Sequence, residues 1–394
     1  MKNIFRIAAL LMGMWVSGIQ AQEGLDVKVF ERESINFNGT AGADKSVMRY
    51  QAGRIIVKKI DVPAFEKGTD AKLKLTVRSA GDRWDKSGSC FVITDPDKIS
   101  ILDVSSGDKK FPESSGMSEG HGGVRATDDY SPALELLRFM TPFGVGHFST
   151  GEDTHRKPVY IPKWEKEVVW ESDISHLLDA VNETFYVGVW IDTWTAEGYE
   201  VDLSISYSNR PFVNYEILPL VNTIPYVSGQ SLPDFFPTQD IKQEFELKKK
   251  VRNARLHYIT TGHGGHSGGD EFIKIKNTVS VNGNKVLDFS PWRDDCASFR
   301  RFNPTSGVWL RKDSAAYIDF EERKYKVKEI EERIASSDLS RSNWCPGSKV
   351  EPIVVDLGDL EAGKHEILIS IGATPADKDK FNHWLVSAYI TYEE

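Results

Sequence analysis

Short runs in which apolar and polar side chains alternate recur along the whole chain, and they constrain its fold more than any other feature. Leu73-Lys74-Leu75-Thr76-Val77 alternates strictly, as do Val201 to Tyr207 and Glu366 to Ile371. Trp384 to Tyr392 is dense in aromatic and β-branched residues. A period of two puts every second side chain on the same face, which suits strands buried on one side and wet on the other. Clusters of Gly, Pro, Asn and Asp separate the runs. Asn282-Gly283-Asn284, between Val279-Val281 and Val286, is a hairpin turn, because Asn and Gly accept the positive φ such turns need. The pattern predicts an all-β chain of antiparallel sandwiches.

With 394 residues the chain can form two or three domains, each burying its own core. The stretch from Asn209 to Gln239 carries Pro211, Pro219, Pro225, Pro233 and Pro237 and is the expected linker. It divides the chain into 22–210 and 211–394. Two segments break the alternation. Residues 95–130 are rich in Ser, Gly and Asp and are expected to form a long, partly mobile insertion. Residues 321–336 place Val327, Ile330 and Ile334 at helical spacing among charge blocks, which predicts one amphipathic surface helix.

The net charge of −9 and the lack of a basic run interleaved with aromatics argue against a nucleic-acid partner. Lys248-Lys249-Lys250 is expected to be a solvated strand edge. Lys2 and Arg6 precede an apolar stretch from Ile7 to Val16, and small residues end at Ala21, so residues 1–21 have the form of an export signal. Ile19 is an imperfect residue for its cleavage site. No later run is long enough to span a membrane, and no Cys follows the apolar stretch to take a lipid. The expected mature protein is soluble, exported and monomeric.

Three cysteines in an oxidising compartment leave one unpaired. Cys90 sits in an apolar run, where a thiol is buried and inert. Cys296 and Cys345 lie in Trp-containing, loop-like surroundings and are the expected pair. That bond closes a loop of about 50 residues, worth about 4 kcal/mol if its effect is on chain entropy.

Three carboxylates sit beside an aromatic ring near β-patterned runs: Asp85 after Trp84, Asp192 two residues before Trp194, and Glu271 before Phe272. An acid that moves a proton, next to a flat ring that covers the apolar face of a sugar, suits carbohydrate chemistry. Each pair alone is more often a turn or a solvated strand end. Arg83 and Lys86 beside Asp85 favour its ionised form. Gly268-Gly269 before Asp270-Glu271 allows close backbone approach to a ligand. Among the ten tryptophans, Trp84, Trp194 and Trp344 have polar or Gly neighbours and are candidate sugar platforms, whereas Trp190 is core. His263 and His266, three residues apart, would need a further ligand to hold a metal, and His121 is weaker still. No nucleophile elbow, phosphate loop or zinc-protease helix is present.

The stretches DRWDKSG, LLRFMTPFGVG (with Arg138, Phe139, Thr141, Pro142 and Gly146), DTWTAEGYEVDLSISY, GGDEFIKIKNTVSVNGN and RSNWCPG follow one another in this order. Together they resemble the peptide-N-glycosidase F family, over most of residues 25–394. The resemblance implies two eight-stranded antiparallel jelly-roll sandwiches side by side, with the site in the cleft between them. It implies an amidase that cleaves N-glycans from asparagine in glycoproteins and glycopeptides, without a metal or other cofactor. Asp85 matches the family's essential acid, and Asp192 and Glu271 its supporting acids. Trp194 matches the cleft tryptophan, Arg341 an arginine that holds the cleft, and Cys296–Cys345 a family disulfide.

The chain departs from the family pattern at several points. Asp192 replaces a Glu, so its reach needs a bridging water or a backbone shift. Phe272 replaces a Trp, and Lys86 an Arg, with loss of bidentate geometry. Cysteines of two further disulfides are missing near 78–85 and 269–273. The insertion at 95–130 has no counterpart and is a candidate gate for the cleft. These departures keep a catalytically weak glycan-binding protein open as an alternative. A copper monooxygenase on the same scaffold is the other.

Overall fold

The computed structural model describes the chain apart from residues 1–23, 40–43, 66–68, 96, 114–120, 151–160, 210–212, 214, 231–234, 265–268, 376–381 and 394. The export segment, His266, the expected boundary at 210 and part of the 95–130 insertion therefore lie outside the described residues.

The first half supplies β1 (Leu25–Ile35), β2 (Met48–Tyr50), β3 (Ile55–Asp61), β4 (Thr69–Ser79), β5 (Ser87–Ile93), β6 (Leu134–Met140), β7 (Val168–Asp173), β8 (Thr184–Ile191) and β9 (Tyr199–Asn209). They form two antiparallel sheets, β1-β9-β4-β7 and β6-β5-β8-β3-β2. The second half supplies β10 (Glu216–Asn222), β11 (Ile241–Leu247), β12 (Val251–His263), β13 (Asn277–Val281), β14 (Asn284–Phe289), β15 (Val308–Asp319) and β16 (Lys324–Ala335). It ends with β17 (Lys349–Val350), β18 (Ile353–Leu360), β19 (Gly363–Ile371) and β20 (His383–Glu393). Here the sheets are β10-β20-β12-β18 and β11-β19-β13-β14, while β15 and β16 pair only with each other among the described residues.

Without β2, the β15–β16 hairpin and β17, the two halves have the same plan. In each, the first, eighth, third and sixth strands face the second, seventh, fourth and fifth, an order consistent with a jelly roll. The alternating runs explain the sheets: Leu73, Leu75 and Val77 of β4 are buried while Lys72 and Lys74 are exposed. Each such Leu removed from water contributes about 1.5–3 kcal/mol. Asn282 and Gly283 take positive φ in the tight turn between β13 and β14, as expected.

β5 and β6 are buried on both faces, because their sheet has a core on each side. Cys90, Val92 and Leu134 face the first sandwich's own core, whereas Phe91, Ile93 and Trp190 pack against Ile224, Tyr226 and Leu385 of the second half. Arg138 of β6 is fully buried. It is paired with Glu135 and donates to Thr261 Oγ1 and to the carbonyl of Leu385 across the boundary. β17, from the second half of the chain, adds to the edge at β6. These contacts lock the two sandwiches side by side.

Three expectations need correction. Residues 324–335 form the strand β16, paired with β15 at twelve positions, and not a helix. Val327 falls on one face of that strand and Ile330 and Ile334 on the other, so the helical spacing marked no single apolar stripe. An isolated amphipathic helix also needs a core to lie on, and this hairpin projects away from one. Second, the 95–130 segment holds a helix, α1 (Ile101–Ser106), with a Ser100/Asp103 capping box and a left-handed Gly107 cap. Its later residues strap the two halves together. Val124 is buried in the second core, the backbone N–H of Ala126 donates to the Leu220 carbonyl, and Arg125 donates to the Lys242 carbonyl. Third, the Pro-rich stretch is not a free linker where described, for it contains β10 and packs Ile224 and Tyr226 into the boundary core. Lys248, Lys249 and Lys250 are exposed in the turn between β11 and β12.

Candidate active site at the junction of the sandwiches

β5 and β8 are antiparallel neighbours, with Gly88 opposite Ile191. The residues just before β5 and just after β8 therefore meet at one end of the sheet, which brings Asp85 and Asp192 together across more than a hundred positions of sequence. The backbone N–H of Asp192 donates to the Ser87 carbonyl at 2.9 Å. The loop carrying Asp85 is pinned from several sides. Buried Asp82 accepts from the backbone N–H of Trp84 and from Thr193 Oγ1, and Tyr199 donates its hydroxyl to the Trp84 carbonyl. Thr141 exchanges two bonds with Lys86 through its hydroxyl and its backbone N–H.

Glu271 comes from the second sandwich, on a 3-10 turn (Asp270–Phe272), not at a solvated strand start. Asp270 anchors that turn. It is fully buried, accepts from Trp384 Nε1 at 2.8 Å and from the backbone N–H of Thr374, and its own N–H donates to Asn382 Oδ1. A methyl group on Gly264 would lie 2.2 Å from that same Asn382 oxygen, so the loop closes only around glycine.

Arg341 joins the two sides. It is 1% exposed, and its Nε donates to Glu271 Oε1 at 2.8 Å while Nη2 lies 3.8 Å from Asp85 Oδ2. Nη1 donates to the Leu339 carbonyl at 2.8 Å, and the guanidinium sits over the rings of Trp344 and Phe272. One fixed cation thus serves an acid from each sandwich, and the second acid is held more loosely. Burial drives the Glu271 carboxyl up to about 7; Arg341 opposes the shift and the Asp85 charge adds to it.

On the other wall, about a third of the Asp192 side chain meets solvent, yet burial still raises its carboxyl above the ordinary range. Arg54 and Lys86 pull it back down. Asp192 Oδ1 accepts from Arg54 Nη1 at 3.2 Å and from Trp194 Nε1 at 3.1 Å. Arg54 also lies 4.2 Å from the Trp194 ring centre and faces Phe37. The shortened acid is therefore positioned by a cation and an indole. Burial lowers the Arg54 guanidinium, and the charge of Asp192 offsets part of that.

Asp85, Asp192, Glu271 and Arg341 line a cleft of about 310 Å³ together with Trp84, Lys86, His263, Trp344 and His383, while Arg54 and Trp194 lie outside that lining and reach it through Asp192. No described residue of the 95–130 insertion lines it. Trp84 and Trp194 are 55% and 58% exposed, open enough for a sugar face. Trp344 lines the cleft but is largely covered. It is 4% exposed, donates its indole N–H to the Gly262 carbonyl, and carries Arg341 on its ring. His263 is stacked between Trp344 and His383, bonded through Nε2 to Thr261 Oγ1, and held neutral by burial. Among the described residues no group of three His, Cys, Asp or Glu side chains is arranged to hold a metal. The disulfide Cys296–Cys345 closes beneath this wall, and Cys90 is a buried free thiol whose pKa burial raises.

Two family models, the N-terminal and C-terminal domains of peptide-N-glycosidase F, match residues 26–207 and 231–391. The chain belongs to the peptide-N-glycosidase F family. The structures of PNGF-II in two crystal forms are 34% and 33% identical to it, with TM-scores of 0.80 and 0.79. They cover 94% of this chain, which in turn spans 66% and 65% of their length. PNGase F, a glycosylasparaginase from Flavobacterium meningosepticum, shares the fold at a TM-score of 0.58 and 14% identity, covering 94% of this chain and 96% of its own. No curated protein sequence matches the chain.

Sequence reasoning missed Arg54, Asp82, Asp270 and His383. Arg54 stands 138 positions before its carboxylate, with no local signature. Asp82 and Asp270 were closer to hand: each lies in a Gly-rich turn within three residues of a candidate acid, where an Asp commonly ties the backbone.

Proposed function

We propose that this family member hydrolyses the amide bond between asparagine and the first N-acetylglucosamine of N-glycosylated peptides and proteins. Water attacks the side-chain carbonyl of the asparagine, the C–N bond breaks, and the nitrogen leaves protonated as a glycosylamine. The peptide keeps an aspartate, and the glycosylamine later loses ammonia to give free glycan. The observation that carries this reading is Arg341 held between Asp85 and Glu271, one acid from each sandwich, at the junction.

Arg341 binds Glu271 more closely than Asp85, and Asp85 orients and deprotonates the attacking water. Ionised Glu271 keeps Arg341 engaged. Once Glu271 takes a proton, the buried cation falls back on Asp85 and withdraws it from the water. Asp192 accepts hydrogen bonds from the first sugar or a bridging water, while Trp194 and Trp84 cover the sugar's apolar faces. None of these roles calls on a metal or cofactor.

The N-glycosylated polypeptide is the expected partner, taken by a monomeric chain, with nucleic acid absent from its chemistry. Among the described residues no helix is long and apolar enough to cross a membrane. Export through residues 1–21 agrees with the Cys296–Cys345 bond.

The test is digestion of a defined glycopeptide followed by mass analysis. The expected product is a peptide heavier than its asparagine form by the conversion to aspartate, and Asp85→Asn should not make it. Full activity in that variant, or tight glycan binding by the native protein without conversion, would overturn the assignment.

A further inference from the structure

The β15–β16 hairpin is an outlier in this molecule. Most large exposed apolar side chains elsewhere stand singly, but this element gathers Leu310, Tyr317, Ile318, Phe320, Tyr325 and Val327. Four of them form one patch at its tip. Ile318 pairs with Tyr325 and Ala316 with Val327 on the same face, and Phe320 stands in the turn, 86% exposed. Exposed apolar groupings of this kind mark contact surfaces. Both outer edges of the hairpin lie open among the described residues, so their backbone groups can pair with a further strand.

Two observations indicate what covers it. The first is where the hairpin is rooted. Trp309, at the start of β15, packs on Phe272 next to Glu271, and Ser336, just after β16, lines the cleft. From that root twelve paired positions extend about 40 Å outward at the rise of a strand. The hairpin is therefore continuous with the cleft wall, yet its tip lies far beyond the sugar bound at the acids, and its aliphatic and aromatic side chains suit a polypeptide better than the hydroxyls of a glycan. What leaves such a cleft and extends that far is the polypeptide on which the asparagine sits. The second observation is charge. Residues 308–335 hold seven basic and seven acidic side chains, which gives no net attraction for nucleic acid or an anionic lipid surface.

We propose that the β15–β16 hairpin is a docking arm for the substrate's polypeptide, bound in extended form with its apolar side chains against Ile318, Phe320, Tyr325 and Val327. The inference rests on the amidase reading and names the part of the substrate that the cleft does not hold. Backbone pairing along a hairpin edge supplies affinity without sequence preference, and the tip selects segments bearing apolar residues. A folded glycoprotein hides such segments and an unfolded one displays them, so the arm favours unfolded substrates.

The test compares native protein with a variant carrying Ile318→Ser, Phe320→Ser, Tyr325→Ser and Val327→Thr, all at exposed positions. Two substrates are used: a glycopeptide of about five residues, too short to reach the tip, and a reduced, alkylated glycoprotein. The variant should keep the native kcat/KM on the glycopeptide, while its KM on the unfolded glycoprotein rises about tenfold. Equal rates on both substrates would overturn the proposal, and so would a parallel loss on both. Binding of a fluorescently labelled, unfolded, sugar-free polypeptide is measured alongside and needs no catalysis. Weakened binding in the variant supports the arm even if the amidase reading fails, and unchanged binding removes it. Native light scattering that showed a dimer lost in the variant would assign the patch to a second copy instead.

Discussion

The two sandwiches share one strand order, yet they contribute to the cleft in different ways. The first offers Asp85 and Asp192 from the ends of neighbouring strands, in a loop tied down by backbone partners. Asp192 meets Arg54, which stacks on Trp194, whereas Asp85 faces the buried Arg341 of the second sandwich. The second offers Glu271 and Arg341 from irregular segments; Arg341 is 1% exposed, while the Glu271 side chain, at 15%, is covered about as well as that of Asp85, at 16%. The contrast shows how one fold provides two kinds of carboxylate. Asp192, a third exposed at a strand end, meets an arginine stacked on an indole, while Glu271 is the close partner of a buried, fixed cation.

The comparison predicts a hierarchy. Asp85→Asn should lower kcat on a glycopeptide by about a thousandfold with the fold intact, as seen by circular dichroism. Retained activity would move the proton-transfer role to the other sandwich. Arg341→Met should cost about 3–5 kcal/mol in urea unfolding, because it leaves a buried Glu271 without its cation. A smaller loss would mean that water reaches this wall as freely as the other.

The pH dependence sharpens the contrast further. Burial lifts the Glu271 carboxyl to about 7, and the proposed mechanism uses its ionised form, so activity should rise with pH through that value. In Glu271→Gln the rise should vanish at a lower plateau. Activity that instead falls above pH 7 would make Glu271 a proton donor. Away from the cleft, His176 and His257 stack on each other across the boundary, with Tyr389 beyond. Burial lowers them to about 4 and about 3. The unfolded chain thus binds protons near pH 6.5 that the folded chain refuses. Their contribution is fully present above that pH and falls away as pH drops toward 3–4. The slope is up to about 1.4 kcal/mol per pH unit for each histidine. Urea midpoints at a series of pH values should show it, and His257→Gln should flatten it. The smallest effect is expected from Arg54→Lys, which keeps the charge beside Asp192 but loses the flat contact with Trp194. KM should rise about threefold with kcat little changed.

Much of this was legible in the chain itself. Alternation of side chains at period two is a local property, so the strands around Leu73–Val77, Val201–Tyr207 and Glu366–Ile371 could be read directly. Asp85, Asp192 and Glu271 were visible because an acid beside a ring in a turn stands out without knowledge of its partners. The 321–336 segment failed for the opposite reason. Its apolar residues fit two periods, and its partner strand, not its own pattern, selected one.

The sequence alone determined an all-β chain of two sandwiches, a disulfide between two particular cysteines and the three acids that come to line one cleft. Tertiary structure decided the rest. It showed that Trp344 carries Arg341 on its ring, that described residues of the 95–130 segment strap the halves together, and that Arg54 serves Asp192 from 138 positions away. Strand character is written in neighbouring residues, whereas a cleft is made by residues that meet only after strand pairing has removed the sequence distance between them.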